Sequence, residues 1–281
     1  MNYQHAYHVG NVADVFKHII LIQLLKNLHK KTSAFTYFET HAGNALYDLQ
    51  DVPAQKTLEH HHGIGTLWSN QNYTNPAIAE YLQIIKSLNP NADTLQFYPG
   101  SNLFARQYLR PQDRAIFCEL HPNVYQNLRR YFRQDKQVHV HQRDGYEALL
   151  ALLPPKTPRG LVLIDPPFEV TNEFAQVINA LENLQIRWLS GMTVIWFPIK
   201  QYEIILAFYA ALKKLSFNNI LATELWTKAE MEDNTLKGSG LVIINPPWQF
   251  DEMLAPLLPD LAKALHITEQ ENNKVTWLVK T

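Results

Sequence analysis

The chain has a single cysteine, Cys118, in 281 residues, which excludes an internal disulfide framework and any cysteine-rich zinc site. Cys118 lies in the apolar run Ala115-Ile116-Phe117-Cys118, as expected of a buried structural thiol. Neither sign of charge is in excess. The formal net charge is −1, so contact with nucleic acid would have to come from a local patch rather than a global field. Apolar runs are strand-length and too short to cross a bilayer, and Met1-Asn2-Tyr3-Gln4-His5 lacks the apolar stretch of a signal peptide. A soluble, cytoplasmic protein is expected. Internal repeats, low-complexity segments and interdomain linkers are also missing. His60-His61-His62 has no helix-spaced His/Glu pair to complete a metal site and reads as an exposed polar turn, so no metal is expected.

What is present is enough for a sizeable core: 46% of residues are hydrophobic, and 281 residues suit one large α/β domain or one domain carrying an insertion. Val12, Phe16, Ile19, Ile20, Leu24 and Leu28 recur at helical spacing and predict an amphipathic helix over 11–29, with Asn11, Asp14 and His18 on the opposite stripe. A strand over Ala34–Glu39 is broken by Thr40-His41-Ala42-Gly43-Asn44-Ala45. Residues 46–95 lack clear strand signals, contain a helical stretch from Pro76 to Leu88, and read as a helical insertion. Tyr98-Pro99-Gly100 reads as a turn, with Ser101 placed to cap a helix running to about Tyr108.

From there strands and helices alternate. Strands are predicted over Ala115–Glu119, Val138–His141, Leu161–Ile164, Met192–Phe197, Ile220–Leu225, Leu241–Ile244 and Lys274–Val279. Helices are predicted over Asn123–Phe132, Tyr146–Leu153, Asn172–Leu184, Tyr202–Leu215 and Glu252–Leu265. Alternation of this kind argues for a doubly wound, mainly parallel α/β sheet.

In open α/β sheets, ligands bind at the carboxyl ends of strands. Four predicted strands end in polar or turn residues: Glu39-Thr40-His41-Ala42-Gly43, Glu119-Leu120-His121-Pro122, Asp144-Gly145 and Asp165-Pro166-Pro167-Phe168. Together they suit a nucleoside-containing cofactor lying across the sheet. Glu119 would accept from ribose hydroxyls, or else simply favour the N-terminus of the following helix. Asp144 would accept from an adenine amine, with Gly145 permitting close approach, or else cap a helix. Gly43 permits a tight turn, although Gly-Asn-Ala is not Gly-x-Gly. His41 and Ser101 are further candidate contacts. Asn11, Asp14 and His18, with Lys17 beside them, have the spacing of a solvated helix face, and anionic neighbours would give them a use. Arg106, Arg110, Arg114, Arg129, Arg130 and Arg133 read by default as ordinary solvated residues rather than a basic surface.

Asp165-Pro166-Pro167-Phe168 suits one task, which is holding a flat base by its exocyclic amine. The carboxylate and a carbonyl freed by the prolines accept the two N–H groups, and Phe168 stacks. A rival, Asn245-Pro246-Pro247-Trp248, ends a late strand. Late strands of doubly wound sheets lie to one side and are often antiparallel, so this one is expected to end at the face opposite the cofactor. Catalysis is therefore assigned to Asp165, and Asn245–Trp248 is read as a structural strand exit.

The ordered set His8-Val9-Gly10-Asn11-Val12-Ala13-Asp14-Val15-Phe16-Lys17-His18, Thr40-His41-Ala42-Gly43, Tyr98-Pro99-Gly100-Ser101, Glu119-Leu120-His121-Pro122, Asp144-Gly145, Leu163-Ile164-Asp165-Pro166-Pro167-Phe168 and Ser239–Trp248 resembles the RlmJ family across essentially the whole chain. The resemblance implies a Rossmann-like class I methyltransferase fold with a small helical insertion. It also implies S-adenosylmethionine as cofactor and N6 methylation of one adenine of 23S ribosomal RNA. By match, His18, His41, Ser101, Glu119, Asp144 and Gly145 would contact the cofactor, Asp165 would be catalytic, and Tyr3 would lie near the RNA. Phe168 stands where the family commonly has Tyr, and Ala45 where a second Gly is common. The competing readings are a DNA adenine methyltransferase, which the lack of a separate target-recognition domain disfavours, and a protein of external-DNA catabolism, for which the metal-binding carboxylate cluster of a nuclease is missing. A non-enzymatic RNA-binding scaffold is the third.

Overall fold

Short runs rich in β-branched and aromatic residues make the strands of this protein, and those at the centre of its sheet are buried on both faces. A computed structural model describes residues 4–70, 73–91, 94–228, 235–268 and 270–281. Its elements in chain order are α1 (Val12–His29), β1 (Thr36–Glu39), β2 (Leu46–Asp48), α2 (Val52–Thr57), α3 (Ile64–Ser69), α4 (Pro76–Leu88), β3 (Phe97–Pro99), α5 (Ser101–Gln107), β4 (Arg114–Cys118), α6 (Pro122–Tyr131), β5 (Val138–His141), α7 (Gly145–Leu152), β6 (Gly160–Ile164), α8 (Glu173–Trp188), β7 (Met192–Ile199), α9 (Tyr202–Leu212), β8 (Ile220–Trp226), β9 (Gly238–Ile244), α10 (Phe250–Ala264) and β10 (Lys274–Val279).

Eight strands form one sheet in the order β10-β8-β9-β7-β6-β1-β4-β5. The pairs β6–β7, β1–β6, β1–β4 and β4–β5 are parallel, whereas β9 runs antiparallel to both β7 and β8, and β10 antiparallel to β8. One apolar core packs α1, α4, α5 and α10 on one face of the sheet, and a second packs α7, α8 and α9 on the other. This is the doubly wound α/β architecture expected. Parallel β1, β4, β5 and β6 are neighbours, so they all deliver their carboxyl ends to one edge.

The topology separates the two proline pairs. β9 is antiparallel, so Asn245 emerges at the other edge of the sheet. There its side-chain amide donates to the carbonyls of Leu189 and Gly191, just before β7 begins, at 2.8 and 2.9 Å.

Several expectations need correction. α1 is not amphipathic: Asp14, Lys17 and His18 are as buried as its leucines, because the helix is enclosed on nearly every side. Residues 46–95 are not purely helical, since Leu46–Asp48 pairs antiparallel with Phe97–Pro99. That pairing also turns the expected Tyr98-Pro99-Gly100 turn into a short strand. Gly238-Ser239-Gly240 belongs to β9 rather than preceding it. A Cβ at Gly240 would come within 2.0 Å of the Phe197 ring, so glycine is what lets the two strands pack. In the histidine triplet, His61 and His62 are exposed but His60 is buried. Cys118 is fully buried, and its thiol is pushed up to about 12 by that burial.

Candidate active site

The site grows from the ends of β1, β4, β5 and β6, four of the five parallel strands. The backbone after β1 stays pinned there, with Thr40 N–H donating to Leu163 O at 3.1 Å and Ala42 N–H to Cys118 O at 2.9 Å. Gly43 follows in the left-handed region at φ +66°, which glycine adopts without strain. Its N–H donates to Glu119 Oε2 at 2.9 Å, while Glu119 Oε1 accepts from His121 N–H at 2.7 Å. Glu119 thus ties the turn after β1 to the turn after β4.

Asp144 caps α7: its Oδ1 accepts from Tyr146 N–H at 2.9 Å and Glu147 N–H at 3.1 Å. Gly145 is required by the neighbouring chain, since a Cβ there would lie 2.3 Å from Thr40 O. His41 Nδ1 lies 2.8 Å from Thr40 Oγ1, and its ring meets Tyr146 edge-on. Burial lowers the His41 pKa to about 4 against the opposing pull of Asp165 and Asp144, so the ring is neutral at pH 7.

Ser101 does not cap α5. The N-cap is Gly100, and the Ser101 hydroxyl donates instead to Glu39 Oε1. Glu39 is completely buried, its Oε2 has no hydrogen-bond partner, and burial, with Asp165 nearby, raises its pKa to about 8. His18 is also buried, with Nδ1 2.8 Å from the Tyr98 hydroxyl and its ring centroid 4.8 Å from that of Phe104. Burial, assisted by Lys17 and His5, depresses its pKa well below the usual imidazole range.

Asp165 follows Ile164 at the end of β6. Lys17 Nζ donates to Asp165 Oδ2 at 2.6 Å and is 3.0 Å from Asp14 Oδ1. Asp14 Oδ2 in turn accepts from Gly10 N–H at 2.9 Å and lies 3.0 Å from His5 Nε2. Asn11 caps α1 by accepting from Asp14 N–H, which sets the first turn and directs Asp14 and Lys17 into the site. Burial pulls the Lys17 pKa down, but Asp165 and then Asp14 outweigh it and hold the ammonium above its ordinary range. Burial likewise pushes Asp14 up, and His5 and Lys17 overcome it, leaving Asp14 well below the usual carboxylate range.

Pro166 is buried and Phe168 half-buried. Phe168 adopts φ +50° and packs against Phe174 and Trp196, with ring centroids 4.7 and 5.8 Å away.

The structure therefore gathers His41, Gly43, Ser101, Glu119, Asp144, Gly145 and Asp165–Phe168 along one edge of the sheet, with His18 behind them in the core. Tyr3 lies outside the described residues. Two groups beyond the expected set belong to the site. Lys17, with Asp14, forms a buried ion pair with Asp165, and Glu39 sits under Ser101. Among the described residues, no three His, Cys, Asp or Glu side chains cluster as metal ligands would, and no helix is long and apolar enough to cross a membrane.

Residues 32–279 match the family described as "Ribosomal RNA large subunit methyltransferase D, RlmJ". The chain belongs to the RlmJ family. It is 39% identical over 278 residues to "Ribosomal RNA large subunit methyltransferase J" of Haemophilus influenzae, covering 99% of each chain. The protein of the same description from Escherichia coli is 34% identical over 280 residues, again with 99% of each covered. The crystal structure of protein LPL1258 from Legionella pneumophila superposes with a TM-score of 0.86 at 34% identity, covering 96% of this chain and 97% of that one. A probable spermidine synthase from Corynebacterium glutamicum shares the fold alone, with a TM-score of 0.52 at 10% identity. The RlmJ match begins after α1, but the full-length relatives carry the similarity through it, so the helix bearing Lys17 is part of the shared chain.

Proposed function

We propose that this protein transfers a methyl group from S-adenosylmethionine to the exocyclic N6 of an adenine in 23S ribosomal RNA. The carrying observation is Asp165-Pro166-Pro167-Phe168 at the edge where the five parallel strands end, in a chain of the RlmJ family.

The residues at that edge fit a cationic nucleoside cofactor. Glu119 and Asp144 follow adjacent strands, as is suited to a ribose and an adenine amine. Glu39, buried beside Ser101 with no hydrogen bond at Oε2, would gain a partner in a bound ammonium, whose charge would also favour the carboxylate form. When bound, S-adenosylmethionine supplies an electrophilic methyl on a sulfonium, displaced in line. The residues of the chain do the rest. Asp165 and the Pro166 carbonyl accept the two N–H groups of the amine, which turns its lone pair out of conjugation and toward the methyl. Phe168 stacks on the base and fixes its plane, so orientation supplies much of the acceleration. As the N–C bond forms, Asp165 takes the released proton directly or through water. Lys17 holds the Asp165 carboxylate in place by gripping Oδ2, leaving Oδ1 for the amine.

The test is incubation of the purified protein with labelled methyl donor and 23S ribosomal RNA lacking the modification, alongside DNA of matching sequence. Label should appear as N6-methyladenosine in the RNA. Label in DNA alone would move the substrate to DNA, and label in neither would end the reading.

A further inference from the structure

The sheet separates charge as well as chemistry. Where β1, β4, β5 and β6 end lie the acids Glu39, Glu119, Asp144 and Asp165. Where the same strands begin, residues 30–35, 109–114, 132–137 and 153–159 hold eight lysines and arginines against two acids, in a chain of formal net charge −1. Both acids are engaged. Asp113 is fully buried and accepts from Arg110 and from Phe35 N–H, and Asp135 pairs with Arg106.

Three of the cations are structural. Arg110 donates to Lys31 O and Ser33 O, and Arg159 to Ser33 O and Leu28 O, at 2.7–2.9 Å, and together they close the end of α1. Arg114 likewise donates to Pro111 O and Asp113 O, at 2.9 and 2.7 Å. The other five, Lys30, Lys31, Arg133, Lys136 and Lys156, are exposed and in no ion pair among the described residues. Helix C-termini favour cations, which accounts for Lys30, Lys31 and Arg133 beside the ends of α1 and α6. It does not account for Lys136 and Lys156 out in the connections. Like charges gathered this way repel one another and cost stability unless a polyanion meets them.

The catalytic edge suits a cationic cofactor and a neutral base: Lys17 there is buried against Asp165, and the Glu119 and Asp144 carboxylates accept from backbone N–H groups. Arg143 is an exposed cation beside Asp144, and a polyanionic substrate finds more phosphate partners at the opposite edge. We propose that the basic end of the sheet grips the phosphodiester backbone of ribosomal RNA at a distance from the target adenine. This rests on the RNA reading above. The two edges are separated by strands of four or five residues, so the gripped backbone lies on the order of 20 Å from Asp165. The way between them runs along the edge strand β5, where His139 and, just past the strand, Arg143 are exposed.

The test is a variant carrying Lys31→Gln, Arg133→Gln, Lys136→Gln and Lys156→Gln, with its fold checked by thermal melting. Filter binding to a 23S transcript across a salt series should give a slope of log Kobs against log salt shallower than wild type by about 3. KM for the transcript should rise about tenfold, with kcat and the KM for a short hairpin carrying only the target adenine unchanged. A second variant with Lys31→Arg, Lys136→Arg and Lys156→Arg should keep the wild-type slope. An unchanged slope and KM in the glutamine variant would overturn the proposal, as would equal losses on hairpin and transcript. Failure of the wild type to methylate any RNA would defeat the functional reading instead, and the binding slope would still report on this surface.

Discussion

Lys17 and Asp165, 148 positions apart in sequence, meet at 2.6 Å between the Lys17 ammonium and Asp165 Oδ2. The ammonium is shared with Asp14, and the three side chains are 6%, 15% and 2% exposed. A buried charge is tolerable only when paired, so each member of this set depends on the others. The arrangement presents Asp165 to the site as a held carboxylate rather than a mobile one.

In the proposed mechanism, Asp165→Asn keeps an acceptor for the amine but removes the group that takes its proton. Methyl transfer to RNA should fall by at least about 100-fold, within the range for loss of a general base. Affinity for the methyl donor, measured by calorimetry, should change little. Wild-type rates from this variant would remove Asp165 from the chemistry.

Lys17→Met should be damaging in two separable ways. It leaves Asp14 and Asp165 as buried carboxylates without their cation, at a cost of about 3–5 kcal/mol in denaturant unfolding. It also frees Asp165 to turn away from the base, so single-turnover methylation by the folded fraction should slow. Retention of both stability and rate would show the pair to be incidental.

Asn245→Ala tests the choice between the two proline pairs. The side chain makes two hydrogen bonds to backbone carbonyls and its φ is +53°, so the variant should lose about 1–3 kcal/mol of stability. Methyl transfer per folded molecule should be close to wild type. A folded but inactive protein would reverse the assignment.

Much of this was legible in the chain because strand runs such as Leu161–Ile164 are short, apolar and punctuated by turn residues. Their order fixed which endings share an edge, and an antiparallel β9 could be anticipated from its late position. The burial of α1 could not be read. Asp14, Lys17 and His18 have the spacing of a solvated face, and only a partner far along the chain shows otherwise. Ser101 likewise has the position of a cap, and its bond to Glu39 joins residues 62 apart. Polar residues satisfied by distant partners look, in sequence, like polar residues satisfied by water.

Glu39 carries a pH dependence whose sign is fixed by its burial. Its pKa in the folded protein is about 8 against an ordinary value of 4.5, so the folded state binds the extra proton between those limits. Stability is then fully present below about pH 4.5 and is lost as pH rises toward 8. Glu39→Gln keeps an acceptor for the Ser101 hydroxyl and removes the titration. The variant should match wild type near pH 4.5 and gain on it by up to about 1.4 kcal/mol per pH unit until about pH 8, levelling off above. Urea melts at pH 5, 7 and 9 would show this. A difference that stays flat, or shrinks as pH rises, would mean that Glu39 is already ionised in the folded protein at neutral pH and that its unpartnered oxygen is compensated by another route.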